Sequence, residues 1–213
     1  MRNLEAGTKA SIQTISFYAL SDERTRKEDA EKEKKHRVVF GGYAVPPGGV
    51  VTTYPYRDEA GELLFEVLRL VPKEFRQRRP NGKGGWTWDL EGTRRVLYRL
   101  PELRAASRVL TVYLVEGEKD VATIEILGRL ATTAPQGAQG WAKMDKACLE
   151  VLRGQRVVIV PDADQPGVEY LRSAAADLVG IAESVLVIDV RTLPTPPGVA
   201  AVVKDISDWY STW

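Results

Sequence analysis

The clearest pattern in the chain is a run of apolar residues that ends at an acidic residue and a glycine. Val109 to Val115 reads VLTVYLV, and Glu116 follows it directly. A second run, RVVIV, ends just before Asp162 and Asp164. Short apolar runs bounded by turn residues predict buried strands. Each of these strands is therefore expected to deliver a carboxylate at its C-terminal end.

From residue 105 onward, strand and helix patterns alternate, which predicts a parallel sheet with right-handed crossovers. In open sheets of this kind, ligands bind at the C-terminal edge of the strands. Glu116, Asp162 and Asp164 are therefore expected at one site. The other predicted elements are a helix from Glu118 closed by Gly128, a strand LATTAP, a loop QGAQG, a helix over 141–154, a helix over 166–179, a strand SVLVIDV and a short helix in KDISDWYSTW.

The N-terminal half has a different pattern. Residues 38–70 are rich in β-forming residues, and DEAG between VVTTYPYR and ELLFEVLRL predicts a hairpin turn. One face of that hairpin is expected to carry Tyr54, Tyr56, Leu64 and Leu68. SIQTISFYAL is a candidate strand, and the almost wholly charged residues 21–37 favour an exposed helix or a linker. The predicted organisation is 1–37, 38–104 and 105–213.

Charge is distributed unevenly although the formal net charge is only +1. Residues 69–108 hold eleven Lys and Arg against four Asp and Glu, whereas residues 109–213 hold nine against fourteen. A basic segment beside an acidic one fits a protein that holds a polyanion over a metal site. The alternative is a chance asymmetry on a solvated surface.

The basic segment mixes cations with aromatic residues and glycine pairs, which predicts a loop. Basic residues contact phosphates and aromatic rings stack on bases, so this composition is typical of contacts with single-stranded nucleic acid or a nucleotide. The alternative for Trp86 and Trp88 is that at least one belongs to a core. The candidate binding residues are Arg76, Arg78, Arg79 and Lys83.

Two stretches, EGEKD and DADQPG, resemble the signature motifs of the TOPRIM domain in its primase form. This resemblance covers the chain from Val109 to its C-terminus. RRVLYRLPEL resembles the segment that leads into this domain in phage and plasmid primases, where it belongs to a small basic subdomain. The implied fold class is α/β: a TOPRIM parallel-type sheet flanked by helices, preceded by a small basic α+β subdomain.

The resemblance also implies roles for the acidic residues. Asp162 and Asp164 would hold Mg²⁺ or Mn²⁺, and Glu116 would join them or act as a general acid or base. VKDISDW resembles a late Lys-Asp motif, which implies a metal role for Asp205 and a nucleic-acid or nucleotide contact for Lys204. Carboxylates suit such ions. For Asp164 alone, a helix cap is the alternative.

The implied activity is primer synthesis, a metal-dependent nucleotidyl transfer from nucleoside triphosphates on a single-stranded DNA template. A nuclease that uses the same acids, and a nucleic-acid-binding module without catalysis, remain as alternatives. A topoisomerase would need a tyrosine domain for which the chain has no room. A replicative helicase and a zinc-binding domain outside this chain are the expected partners.

Composition excludes several other classes. With one cysteine, Cys148, and one histidine, His36, an internal disulfide or a tetrahedral zinc site within a single chain is excluded. No apolar run approaches the length of about 20 residues needed to cross a bilayer. The N-terminal residues carry no secretory signal pattern. A cytoplasmic protein without membrane contact is therefore expected.

Overall fold

The computed structural model describes residues 39–40, 43–44, 49–199 and 202–213. The predicted strand SIQTISFYAL and the charged segment 21–37 lie outside the described residues. All described residues belong to one compact unit, Val38–Trp213. The division predicted at residue 104 within this unit stays a prediction.

The first part of this unit is built from antiparallel strands. A two-stranded ladder, β1 and β2, precedes a four-stranded sheet in the order β3-β4-β5-β6. The strands are β1 (Val39–Phe40), β2 (Tyr43–Ala44), β3 (Val50–Arg57), β4 (Leu63–Leu70), β5 (Glu74–Pro80) and β6 (Trp86–Thr87).

The second part is a parallel sheet of four strands in the order β10-β9-β7-β8, flanked by helices. The α/β fold class predicted from the sequence is confirmed. Its elements are α1 (Leu100–Ala105), β7 (Thr111–Val115), α2 (Glu118–Ile126), β8 (Leu130–Thr132), α3 (Gly137–Trp141), a 3-10 helix (Lys146–Leu152), β9 (Arg156–Val160), α4 (Gln165–Leu178), β10 (Ser184–Val187), a 3-10 turn (Val190–Thr192) and α5 (Ile206–Tyr210).

The predicted β3–β4 hairpin is present, but only two of the four residues expected on one face lie there together. Tyr56 pairs with Phe65 and Tyr54 with Val67 across the strands, so these four side chains share one face. The rings of Tyr56 and Phe65 stack at 4.5 Å. The assignment of Leu64 and Leu68 to this face was wrong, because the pairing register places them on the other side of the pleat.

The predicted basic loop is mostly a strand, which corrects the placement of its arginines. β5 pairs with β4 from Glu66↔Arg78 to Leu70↔Glu74, so Arg76, Arg78 and Arg79 lie on a sheet. The long aliphatic stems of arginines can cover a sheet surface. Only the tip is a loop, where Asn81 accepts hydrogen bonds from the backbone of Lys83 and Gly85.

Two predictions in the second part were also wrong. QGAQG is not a loop: its last four residues lie in α3. Residues 141–154 do not form one helix, because Asp145 has an extended backbone and caps a separate 3-10 helix by accepting from Ala147. The helices predicted after Glu118, Pro166 and Asp205 are confirmed, and Asp164 caps α4 as its spacing suggested.

A continuous hydrophobic core, whose members run along the chain from Tyr54 to Ile206, contacts both sheets. The segment before α1 joins them, because Tyr98 donates its backbone N–H to Thr133 beside the end of β8. No helix within residues 49–199 and 202–213 combines the length and apolarity that crossing a membrane requires.

Arg94 links the β3–β4 turn to the start of the 3-10 helix Lys146–Leu152 through ion pairs. Its guanidinium donates to both carboxylate oxygens of Glu59 in the hairpin turn, at 2.7 and 2.6 Å, and its Nε donates to Asp145. Arg94→Met should lower the free energy of unfolding by about 1–2 kcal/mol, since two carboxylates lose a shared partner. Thermal unfolding measured by circular dichroism should show a melting temperature lower by about 3–6 °C.

The matched control is Arg191→Met, which removes an equally short but isolated and exposed pair with Asp189. It should leave the melting temperature within about 1 °C.

The Arg94 hydrogen bond holds the pKa of Glu59 at about 2, below the usual 4.5. The stability that the protein gains from the Arg94–Glu59 pair is therefore present above pH 5 and lost as pH falls toward 2. This role would be contradicted if both variants lowered the melting temperature equally. It would also be contradicted if Arg94→Met destabilised the protein as much at pH 2.5 as at neutral pH.

Candidate metal and active site

Two carboxylates stand at the C-terminal ends of the two central strands of the parallel sheet. Val115 of β7 pairs with Val160 of β9, so Glu116 and Asp162 leave adjacent strands at the same edge. Neighbouring strands lie about 4.8 Å apart. Both side chains line an open cleft of about 430 Å³ between this edge and the antiparallel sheet. The structure thus brings together the two residues on which the sequence prediction depended most.

Glu116 is held tightly but its carboxylate is incompletely satisfied. The Thr133 hydroxyl donates to the backbone carbonyl of Glu116 at 2.8 Å. A Cβ atom at Gly137 would lie 2.8 Å from that same carbonyl oxygen, so only glycine allows α3 to begin there. Burial raises the pKa of Glu116, and the Asp164 charge adds to the rise. Oε2 of Glu116 is buried and has no hydrogen-bond partner among the described residues.

Asp162 has a strongly raised pKa. Burial raises its pKa to about 8, and the negative charges of Glu116, Asp120 and Asp205 add to the rise. The loop that carries it is tied to the C-terminal segment of the chain. Ala163 donates its backbone N–H to the Lys204 carbonyl at 2.7 Å. Asp162 therefore sits where negative charge accumulates and where any positive ion would be attracted.

Asp164 lies at the N-terminus of α4, outside the lining of the cleft. Its Oδ1 accepts a hydrogen bond from the Gly167 N–H at 2.9 Å, which makes Asp164 the N-cap of α4. The side chain is exposed and does not line the cleft. The cap expected as the alternative is present, while a metal role for Asp164 stays a prediction.

Asp205 lines the cleft from the C-terminal segment, opposite the strand ends. It caps α5 by accepting from Asp208 N–H at 2.6 Å, and Lys119 Nζ lies 3.2 Å from its other oxygen. Lys204 is exposed and is joined to this turn by its backbone N–H, which donates to Asp208. Asp205 is therefore close enough to raise the pKa of Asp162, whereas the side chain of Lys204 lies outside the cleft lining.

Two acids on α2 add to the site, and the sequence assigned them no firm role. Asp120 accepts a 2.5 Å hydrogen bond from the Ser207 hydroxyl, and Ser207 also meets Thr123 at 2.7 Å. Glu118 accepts from the Tyr56 hydroxyl at 2.7 Å. Burial raises the pKa of both acids, and these hydrogen bonds oppose the rise. They connect α2 to α5 and to the antiparallel sheet.

The predicted basic residues do not line the cleft. Arg78 forms an ion pair with Glu66 in which both side chains are about 14% exposed, and its guanidinium lies over Trp86. Arg79 pairs with Asp89. Trp86 and Trp88 are half-buried, and neither belongs to the buried core. A nucleic-acid contact by Arg76, Arg78, Arg79 and Lys83 stays a prediction, but the placement of the three arginines on a loop was wrong, because they lie in β5.

Besides Lys119, which pairs with Asp205, the cations that line the cleft are Arg69 and Lys73, accompanied by Phe75 and Gln77. Sequence reasoning missed them because it treated this stretch as a loop. The signal that could have identified the cleft residues is the alternation of side chains along a strand. Phe75 and Gln77 occupy odd positions of β5 and point to the opposite face from Arg76 and Arg78. Once β5 is recognised as a strand, Phe75 and Gln77 fall on the face toward the cleft, and Arg76 and Arg78 fall on the other face.

The fit of this site to a divalent cation depends on which carboxylates are not already engaged by a helix end or a lysine. No group of three or more Asp, Glu, His or Cys side chains in the described part of the chain is arranged to hold a metal ion as it stands. Two of the acids are not arranged for a metal because they are already engaged: Asp164 caps a helix and Asp205 pairs with Lys119. Glu116 and Asp162 do fit, because an unpartnered oxygen and a raised pKa mark charge that a cation would neutralise.

The raised pKa of Asp162 predicts an unusual pH dependence of stability when a chelator removes divalent ions. The unfolded chain releases this proton near pH 3.8 and the folded protein near pH 8, so folding takes up a proton between these values. The wild-type protein should therefore lose stability as pH rises from 4 to 8. Asp162→Asn cannot lose this proton, so its melting temperature relative to wild type should increase by about 10 °C over that range.

Asp189→Asn serves as the control for this measurement. The Arg191 hydrogen bond lowers the pKa of Asp189, so its removal should bring no gain in stability as pH rises. Melting curves at pH 5 and pH 8 with a chelator provide the comparison. An Asp162→Asn difference that stays constant between these pH values would contradict the raised pKa.

No family model matches the sequence, and no curated protein matches it. Solved structures do match. The primase fragment of the bacteriophage T7 primase-helicase protein aligns with a TM-score of 0.53 and 18% identity, over 86% of this chain and 65% of that chain. The structure of bacteriophage T7 lagging-strand DNA polymerase with primase domains bound to an RNA/DNA hybrid and dTTP gives a TM-score of 0.51 and 20% identity, over 71% and 69%. The chain thus has a primase-type fold and spans about two thirds of the length of these structures.

Proposed function

We propose that the chain is a TOPRIM-type primase core that transfers nucleotides onto a primer, using Mg²⁺ or Mn²⁺ and a single-stranded DNA template. The observation that carries this proposal is the pair of half-buried carboxylates with raised pKa values, Glu116 and Asp162, at adjacent strand ends. The primase-type fold supports it, and a neighbour with that fold contains a hybrid and a nucleotide.

Each acid has a distinct task in this proposal. Asp162 would hold the cation, joined by Asp205 once Lys119 moves away from it. Glu116 would share the ion or hold and release a proton at Oε2, which has no other partner within the described residues. When bound, the ion would neutralise charge on phosphoryl oxygens and orient the reacting hydroxyl.

The surrounding residues keep these groups in place. Ser207 and Thr123 fix Asp120, which in turn stays beside Asp162 and maintains the negative potential that attracts a cation. Tyr56 fixes Glu118 at the mouth of the cleft. Buried hydrogen-bonded networks of this kind rigidify a site, so the strand-end carboxylates need little reorganisation.

A single gel assay tests the proposal. The protein is incubated with unlabelled single-stranded DNA, labelled nucleoside triphosphates and Mg²⁺ or Mn²⁺, and in parallel with labelled DNA alone. We expect short extension products that need the template, the triphosphates and the metal. Shortened DNA without extension would show that the same acids serve a nuclease, and neither product, with DNA binding retained, would show a binding module. Either result would overturn primer synthesis.

A further inference from the structure

One wall of the cleft is built by alternation along two paired strands. Arg69 of β4 pairs with Phe75 of β5, and Val67 pairs with Gln77, so their side chains share one face of the antiparallel sheet. Lys73 lies in the turn between the strands. We call Arg69, Lys73, Phe75 and Gln77 the cleft wall. All four line the cleft opposite the strand-end carboxylates.

The cleft wall carries positive charge that the protein does not use internally. On the opposite face of the same sheet, Arg76 pairs with Glu74 and Arg78 with Glu66. No ion pair between described residues engages Arg69 or Lys73. The Tyr54 hydroxyl orients Arg69: burial raises the pKa of Tyr54, and the hydrogen bond with Arg69 lowers it. Two cations therefore face the cleft with their charge directed to a ligand.

The remaining two residues also point to a ligand. Phe75 is 48% exposed, which is a large apolar surface to leave in water beside charged groups. The Gln77 Nε2 is buried and has no hydrogen-bond partner within residues 49–199 and 202–213. A buried donor without a partner costs about 1–3 kcal/mol, which a ligand acceptor reached by rotation of the amide would offset.

We propose that the cleft wall binds a nucleoside triphosphate, with Arg69 and Lys73 on its phosphates, Phe75 stacked on its base and Gln77 donating to it. This rests on the proposed function, since the acids opposite would receive the same triphosphate through a divalent ion. The cleft volume of about 430 Å³ lies in the range of small-molecule sites, which suits one nucleotide.

Equilibrium binding of a non-hydrolysable nucleoside triphosphate analogue with Mg²⁺, measured by calorimetry, tests this assignment. Arg69→Gln and Lys73→Gln should each raise Kd by about 5- to 20-fold, the loss of a charged hydrogen bond. Phe75→Leu should raise it by about 5- to 30-fold, the loss of base stacking. The controls Arg172→Gln and Lys143→Gln, exposed cations outside the cleft lining, should leave Kd within twofold. Melting curves verify that each variant folds.

Three results would overturn the assignment. The first is nucleotide affinity unchanged in all cleft-wall variants. The second is an equal loss in Arg76→Gln, because Arg76 lies on the opposite face. The third is a loss of affinity for a single-stranded oligonucleotide with unchanged nucleotide affinity, which would make the wall a strand site. Nucleotide binding through the wall without extension products would refute primer synthesis alone, whereas extension with unaffected cleft-wall variants would refute this assignment alone.

Discussion

Glu116→Gln and Asp162→Asn are each expected to reduce template-dependent extension by about 10³-fold or more. Both substitutions keep the size of the side chain and remove its charge, so the metal and proton-transfer contributions are lost together. The fold should persist, because neither carboxylate makes an ion pair among the described residues. Initial rates of primer extension at saturating metal provide the measurement.

The control is Asp189→Asn, which removes an exposed acid that pairs only with nearby Arg191 in the described structure. It should keep extension within about twofold. Melting temperatures separate catalysis from stability: Asp162→Asn should be at least as stable as wild type at pH 8 while inactive. Full activity in either site variant, or inactivity that follows unfolding, would contradict the roles of Glu116 and Asp162.

Gly167→Ala is expected to have the second largest effect, on both stability and activity. A Cβ atom at Gly167 would lie 2.2 Å from the carbonyl oxygen of Asp162, and it meets only backbone, which cannot swing away. The first turn of α4 would have to shift and carry Asp162 with it. We expect a loss of about 3 kcal/mol and a melting temperature lower by about 6–12 °C.

Gly85→Ala is the matched control, because its Cβ would meet the end of the Asn81 side chain, which can move. The loss there should stay below about 1 kcal/mol. If Gly167→Ala keeps the wild-type melting temperature and extension rate, the close approach of α4 to Asp162 does not position the site.

The sequence predicted the parallel part of the fold well because its signals are local. The apolar runs before Glu116 and Asp162, the cap at Asp164 and the helix-closing Gly128 each act within one element. These signals place two carboxylates at one sheet edge without any knowledge of tertiary contacts. The alternation of strands and helices then sets the parallel order.

The rest depended on contacts between distant residues. β5 reads as a loop because its arginines run directly into Pro80 and the glycines that follow it, and only pairing with β4 shows it to be a strand. That pairing decides that Arg78 meets Glu66 and that Arg69 faces the cleft. Similarly, the hydrogen bond between Asp120 and Ser207 joins residues 87 positions apart, which no local pattern reveals.

The most direct test of the central claim is a titration of the protein with Mn²⁺, with free ion counted by electron paramagnetic resonance. The wild-type chain should bind Mn²⁺ with an affinity that Mg²⁺ competes away. Glu116→Gln and Asp162→Asn should each weaken this binding by at least about tenfold, and Asp189→Asn should leave it unchanged. Mn²⁺ binding of equal strength in the wild type and both site variants would contradict a metal site at the strand ends.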